Sequence, residues 1–585
     1  MQVRPETAPA LGGMIRRVGD FVGRRGELRS LLRDLRGGQR GVVLHGIGGI
    51  GKSSLAAQLV DQLDAQAGLV VPIVGHTRVD LILEEIRQRL HAHCLRTGRD
   101  EMHPHRQLVA ALIDATPPWE QRLALVRDVV LAELPILLVL DNAEDNLTAQ
   151  GAAHEFGDRE LAEFVAAWVT LDRTRLLVTS RHPFPLPHRA HRRLASHHLG
   201  PLSVAETRKM IWRSPALDAL TGPQRHRAYT DLGGHPRSLE YLDALLAGGQ
   251  ARFDDVADRL EAALDRRGIT QPDKWLGSVA EDLDRALAET ITLTVDDVLL
   301  PELLGRLDPT PLARRLLLGA AVYRHPVDRI GLAWQIAPIQ QPPADPDRDQ
   351  RMRATDELIT KMRRSGTPAP EIGLTEDMLQ QYQRDWDQLR QPPLVIPADL
   401  DEALSTLLTL GLIAPLSSLT TGEDTQHYLV HRWTAAALTK HTDTAQLIDA
   451  HRRAAQFWQW RVNFWPQDRT VDIQHLVEAR YHYHQAHDLD NAVTVTYRIC
   501  VQLHTWGAWA WEEDLYTETL TWLAPRSQAS AAFTGQLGII AQSRGDYAQA
   551  EQRYQASLTI NEELGNRAGI ATSYHQLGIL RTEQG

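Results

Sequence analysis

The stretch Gly41-Val42-Val43-Leu44-His45-Gly46-Ile47-Gly48-Gly49-Ile50-Gly51-Lys52-Ser53-Ser54-Leu55-Ala56-Ala57-Gln58-Leu59-Val60 decides the fold. Residues 41–45 form a short β-branched apolar run, the signature of a buried strand. Gly46 to Ser53 fit the phosphate-binding pattern GxxxxGK[ST], and residues 54–60 carry apolar side chains at helical spacing. Strand, glycine loop and helix in this order predict a parallel α/β sheet with a phosphate site at its edge. Glycines let backbone N–H groups converge on phosphate oxygens, and the helix N-terminus adds partial positive charge. Lys52 is expected to neutralise the β- and γ-phosphates and Ser53 to ligate Mg²⁺. The binding residues on this reading are Gly46, Gly48, Gly49, Ile50, Gly51, Lys52, Ser53 and Ser54. Only five of the 63 basic residues are lysine, so a lysine at the one position that needs a compact point charge is no accident of composition.

A chain of 585 residues is multidomain. Its 43% hydrophobic and 23% charged content is that of a globular protein, with no apolar stretch near the ~20 residues of a membrane helix. Met1-Gln2-Val3-Arg4-Pro5 has no signal-peptide core, and Cys94 and Cys500 are too few for a disulfide or zinc framework. A cytoplasmic protein is expected, with no membrane partner. The net charge of −11 makes nucleic acid an unlikely partner.

Downstream, Ile136-Leu137-Leu138-Val139-Leu140 is a second buried strand, ending in Asp141. An acid at such a tip is placed to order Mg²⁺, the alternative being a cap on the next helix. Arg175-Leu176-Leu177-Val178 is a third strand, with Thr179-Ser180-Arg181 at its end. Arg181 is placed to reach a γ-phosphate or, alternatively, to form a surface salt bridge. The basic, histidine-rich stretch 181–198 reads as a solvated loop.

The series FVGR (Phe21–Arg24), GIGGIGKS (Gly46–Ser53), LLVLDNAED (Leu137–Asp145) and LLVTSR (Leu176–Arg181) resembles the NB-ARC-type branch of the STAND NTPases, the signal-transduction ATPases with numerous domains. Leu199-Gly200-Pro201-Leu202-Ser203 with Glu206, and Gly233-Gly234-His235-Pro236-Arg237, resemble its later motifs, so the resemblance spans about residues 20–440. It implies a nucleotide domain over 21–198, a helical subdomain over 199–300 and a winged helix over 301–440. It places Phe21, Val22 and Arg24 near adenine and ribose and Pro236 against the base. His431 falls where the family carries a histidine on the β-phosphate of ADP. The family follows that histidine with aspartate; this chain has Arg432. Many members carry a second acid after the strand aspartate; this chain has Asn142, which cannot take a proton, leaving Glu144 or Asp145 to substitute. Asp141 and Arg181 are thus the catalytic candidates, Ser53 and Asp141 the metal ligands, and hydrolysis is expected to be slow.

Residues 338–395, rich in Pro, Gln, Asp and Arg, read as a polar insertion with one helix at 374–389, and residues 1–20 as a disordered lead. Gln536-Leu537-Gly538-Ile539-Ile540 recurs as Gln576-Leu577-Gly578-Ile579-Leu580, a 40-residue period. With Gly545-Asp546-Tyr547-Ala548 it carries the spacing of a tetratricopeptide helix pair, forming an α-solenoid over 531–585. Ala486–Ala492 reads as a degenerate copy within a helical linker over 441–530. The sequence ends at Gly585 in mid-repeat, as a truncated array would. His482, His484 and His487 suit no single helix face and lack a completing ligand.

The function expected is an ATP/ADP switch, closed by ADP through Lys52, Pro236 and His431. A protein or small-molecule trigger at the repeats would open it to ATP and homo-oligomerisation. The alternatives are a repeat-based scaffold with structural nucleotide, or a winged-helix regulator.

Overall fold

The computed structural model describes residues 21–151, 153–247, 252–266, 298–307, 311–340, 345–365, 368–417, 426–440 and 442–584. The N-terminal lead over 1–20 and much of the expected helical subdomain beyond 266 lie outside these residues.

The first apolar run forms β1 (Gly41–His45). It is followed by β2 (Leu69–Val74), β3 (Ile136–Asp141), a hairpin of β4 (Leu147–Gln150) and β5 (Ala153–Phe156), then β6 (Thr174–Ser180) and β7 (Leu194–His198). Five of them make one parallel sheet in the order β2-β3-β6-β1-β7. Alternation along each strand feeds two cores. Val42, Leu44, Leu137 and Val139 face one side with the helix Lys52–Ala67. Val43, Leu138 and Leu140 face the other with the helix Val79–Arg96. A parallel sheet covered on both faces needs such apolar runs. All five strands point the same way, so the loop after β1 and the tips of β3 and β6 gather at one edge.

The stretch 181–198 corrects the loop expectation. Its last five residues are β7, an edge strand registered against β1 with Val42 opposite Ala195. Backbone pairing to β1 makes this strand; its polar side chains need only an edge position, so no hydrophobic pattern announced it.

After the sheet come helices Val204–Ile211, Pro215–Asp218, Gly222–Leu232, Pro236–Leu246 and Phe253–Arg266. Ser203 and Glu206 form a reciprocal capping box at the first of them. Helices Pro311–Ala321, Arg329–Ile336 and Leu400–Thr409 then precede an antiparallel pair, β8 (Ala414–Ser417) and β9 (Gln426–Leu429). A single antiparallel bridge from Val327 to Tyr428 ties this pair to the helices, in the helices-plus-wing arrangement expected of a winged helix. The polar insertion closes at its base through the Ile339–Leu394 bridge. It holds two helices, Pro346–Ser365 and Glu376–Leu389, where the sequence suggested one. The longer was missed because it is strongly polar and presents no apolar stripe.

Eight helices follow β9 among the described residues: Arg432–Lys440, Thr444–Phe464, Arg469–Gln485, Leu489–Trp506, Trp509–Trp522, Gln528–Ser543, Tyr547–Glu563 and Arg567–Gln584. The repeat reading has a visible physical basis. A Cβ on Gly538 would lie 2.6 Å from Tyr554 Cε1, so the glycine lets that ring seat between antiparallel helices. The degenerate copy uses the same turn: His487 (φ 57°) stands where Gly545 (φ 79°) does, and Asp488 and Asp546 cap the helices that follow. One hydrophobic core takes in Leu81 and Ala115 and runs on from Ile211 to Ile540, through Tyr323, Trp334, Phe457 and Trp458, without a break near 440. No described helix is long and apolar enough to cross a membrane.

Candidate functional site

β1 delivers the chain into the glycine loop at the sheet edge. Gly46 (φ 150°), Gly49 (φ 77°) and Gly51 (φ 94°) take backbone angles that side chains resist. Crowding adds to this, since a Cβ on Gly46 would meet the Leu199 carbonyl oxygen at 2.6 Å. Lys52 opens the following helix and is buried. Its Nζ donates to the carbonyl oxygens of Gly46 (2.7 Å) and Ile47 (2.9 Å). Burial brings its pKa down to about 8, with Glu144 and Asp141 opposing the shift and Arg181 adding to it.

Asp141, at the tip of β3, is buried. Its Oδ1 accepts from Ser53 Oγ at 2.8 Å and from Thr179 Oγ1 at the tip of β6. Burial raises its pKa, against the pull of the Thr179 and Ser53 hydroxyls. A serine hydroxyl and a carboxylate oxygen meeting beside a lysine form the hard oxygen pair suited to Mg²⁺. Thr179 also accepts from the Asn142 N–H (2.9 Å), fixing the tip in the left-handed region (φ 57°) that asparagine tolerates. Glu144 faces the same pocket. Its Oε1 lies 3.3 Å from Arg181 Nε, and its Oε2 is buried without a hydrogen-bond partner among the described residues.

The rest of the pocket comes from far along the chain. Pro236 begins the helix Pro236–Leu246, and His235 caps it. His235 Nε2 donates to the Gly48 carbonyl oxygen (3.0 Å), while Nδ1 faces Ser238 Oγ (2.8 Å). Burial lowers its pKa to about 4, so the ring is neutral. Its Cε1 would lie 2.9 Å from a Cβ on Gly49, so that glycine admits the helical subdomain onto the loop. Arg237 lines the pocket, bonded to Glu240 (2.6 Å) and the Gly411 carbonyl oxygen (2.5 Å). Leu429 at the end of β9, with His431 and Arg432 just beyond it, completes the wall. Burial drives the His431 pKa to about 3, aided by Arg237 and Lys52. Arg432 reaches back to Asp145 Oδ2 (2.5 Å), linking the winged helix to the segment after β3.

The structure therefore brings Gly48, Gly49, Gly51, Lys52, Ser53, Ser54, Asp141, Arg181, Pro236 and His431 around one pocket. Gly46 and Ile50 stand just behind it as hydrogen-bond acceptors of the loop. Phe21, Val22 and Arg24 are not among its lining residues. The Arg24 guanidinium is turned onto the carbonyls of Ile50 (3.2 Å) and Gly200 (2.6 Å), and Phe21 packs on the core under the loop. His235 and Arg237 were missed from sequence. Their only signal was adjacency to Pro236, because a side chain's partner across the fold leaves no local trace.

Residues 20–172 match the family model described as an AAA ATPase domain, and residues 528–585 match the tetratricopeptide repeat model. No curated protein matches the chain. Among solved structures, the chain is similar to a signal-transduction ATPase with numerous domains (STAND) with a tetratricopeptide repeat sensor, from Pyrococcus horikoshii. That match has 12% identity over 97% of this chain and 87% of that one, at a TM-score of 0.30. It is also similar to the Orc1 protein of Aeropyrum pernix in complex with DNA, with 16% identity over 73% of this chain and 94% of that one, at a TM-score of 0.25. The family matches give the chain an AAA ATPase domain, with the nucleotide-binding character that implies, joined to a C-terminal tetratricopeptide segment.

Proposed function

We propose that this chain is an ATP/ADP switch of the STAND type, NB-ARC-like in its motif order, acting in cytoplasmic signal transduction. One observation carries the reading: the phosphate loop, the Pro236 turn and the His431 segment, some 380 residues apart, wall the same pocket. A ligand held there joins three parts of the chain, so its exchange is coupled to their separation.

In this reading Lys52 and the loop N–H groups bind the phosphates of ADP, and Ser53 and Asp141 hold Mg²⁺. Bound Mg²⁺ would neutralise phosphate charge. Pro236 packs against the base, and neutral His431 donates one N–H to the β-phosphate from the winged-helix side. Phe21, Val22 and Arg24 act near the base end, Arg24 by bracing the loop through Ile50. Arg181 serves the γ-phosphate, and Glu144 stands in for the acid missing at Asn142, so turnover is slow. A trigger at the C-terminal helices releases the closed form, ATP replaces ADP, and the chain assembles into a homo-oligomer.

The test compares wild type with His431→Ala. Losing a hydrogen bond to a charged group costs ~1.5–3 kcal/mol, so a fluorescent ADP analogue should leave about 10–100-fold faster. The variant should also form oligomers with ATP more readily, read by light-scattering mass. Equal off-rates and equal masses would refute the closed switch and favour a scaffold with structural nucleotide.

A further inference from the structure

A second cavity, of about 840 Å³, lies against the nucleotide pocket and shares Val74, Arg324 and Arg432 with it. It lies within the ~300–1,000 Å³ typical of small-molecule sites. The end of β2 and the helix Val79–Arg96 form one wall, and the helices Arg469–Gln485 and Trp509–Trp522 form the opposite one. The ATPase domain and the C-terminal helical array thus meet around it.

Its charges follow a pattern. Five arginines and five carboxylates line it, and they pair one to one. Arg89 bonds Glu85 (2.7 Å), Arg78 bonds Asp514 (2.6 Å) and Arg480 bonds Glu518 (2.9 Å). Arg432 bonds Asp145 (2.5 Å), and Arg324 bonds the buried Glu478 (3.1 Å through Nε). His76 and His484 have pKa values lowered by burial. These ten groups carry no net charge, so they offer neither an anionic nor a cationic ligand a compensating field. Breaking the Arg480–Glu518 or Arg324–Glu478 pair would strand a buried member, Arg480 or Glu478, which is unfavourable.

A neutral ligand with many hydroxyl groups meets no such barrier. Each guanidinium carries five N–H donors and each carboxylate about four lone-pair sites, so every pair keeps donors and acceptors to spare. A hydroxyl is both donor and acceptor and can bridge the two halves of a pair without parting them. Gln474 and Gln485 offer further matched groups, and Thr470 carries a buried hydroxyl with no hydrogen-bond partner among the described residues. Val74, Leu81, Val471 and Leu515 supply apolar wall for the C–H faces of a ring.

We propose that this cavity binds a neutral, polyhydroxylated small molecule of sugar or cyclitol type. Its role as the trigger rests on the switch reading above. The ligand would touch Arg432, whose partner Asp145 lies four residues past Asp141, and so bear on the nucleotide pocket.

The test is calorimetric titration of the full chain with trehalose, sucrose, raffinose and myo-inositol, with gluconate and glucosamine as charged counterparts. At least one neutral probe should give saturable heat below about 10 mM, and the charged probes should bind at least about tenfold more weakly. Gln474→Trp, which fills the cavity from an exposed wall position, should abolish that heat while keeping nucleotide affinity. Should that variant lose nucleotide binding, Glu518→Gln is the second; it unpairs Arg480 and should weaken the neutral probe about tenfold. No saturable heat from any neutral probe overturns the proposal, as do equal affinity for the charged ones or binding unaffected by both variants. A neutral probe that binds as expected without changing ADP release supports the site and removes its role as the trigger.

Discussion

Lys52 gives the most quantitative handle on the nucleotide site. Without ligand its ammonium is buried and donates only to two loop carbonyls, which brings its pKa from 10.5 to about 8. A bound polyphosphate supplies the missing negative charge and should return the pKa to near its ordinary value. The site with lowered pKa loses its proton as pH rises through 8, and binding then has to take the proton back. Affinity is therefore full below pH 8 and declines above it. With a pKa near 8 before binding and near 10.5 after, linkage gives a roughly 20-fold weaker ADP affinity at about pH 9.5 than at about pH 7.5. That window lies above the ~6 second ionisation of a phosphate monoester, so the nucleotide's own titration does not intrude. Calorimetry in two buffers of different ionisation enthalpy would measure both the affinity and the proton uptake. Lys52→Arg keeps a permanent charge and should bind more weakly but with no slope across the window. An equal slope in Lys52→Arg, or a flat wild-type profile with no proton uptake, would refute the reasoning.

Two further outcomes follow from contacts in the structure. Glu144→Gln should lower the ATP hydrolysis rate by ~10²–10⁴-fold, the usual worth of a general base, while ADP affinity stays within about twofold; unchanged turnover in a phosphate-release assay would remove Glu144 from that role. Gly538→Ala places a methyl 2.6 Å from the Tyr554 ring and should destabilise the C-terminal repeats by ~1–3 kcal/mol, read as an earlier urea transition in the full chain, with Tyr554→Leu relieving part of the loss.

How much of this protein its sequence alone determined can be judged element by element. Residues 41–60 specified strand, loop and helix because each is governed by local rules: β-branched runs, glycine conformational freedom and helical spacing. The same holds for β3 with Asp141, for β6, and for the 40-residue repeat whose glycine admits Tyr554. Strand β7 was illegible because edge pairing is decided by the neighbour's backbone and leaves no apolar pattern in the strand itself. The polar helix Pro346–Ser365 escaped for the same lack of a stripe.

Only the tertiary structure decided which distant residues share the pocket. His235 on the Gly48 carbonyl, Arg237 on that of Gly411, and Arg432 on Asp145 are pairings across 187, 174 and 287 residues. The identity of a residue states what it can bond, but its partner is fixed by how the sheet, the helical subdomain and the winged helix pack. The one-to-one matching of five arginines with five carboxylates around the second cavity is of the same kind. In an arginine-rich chain any of those charges reads as solvated surface, and only packing turns them into the wall of one chamber.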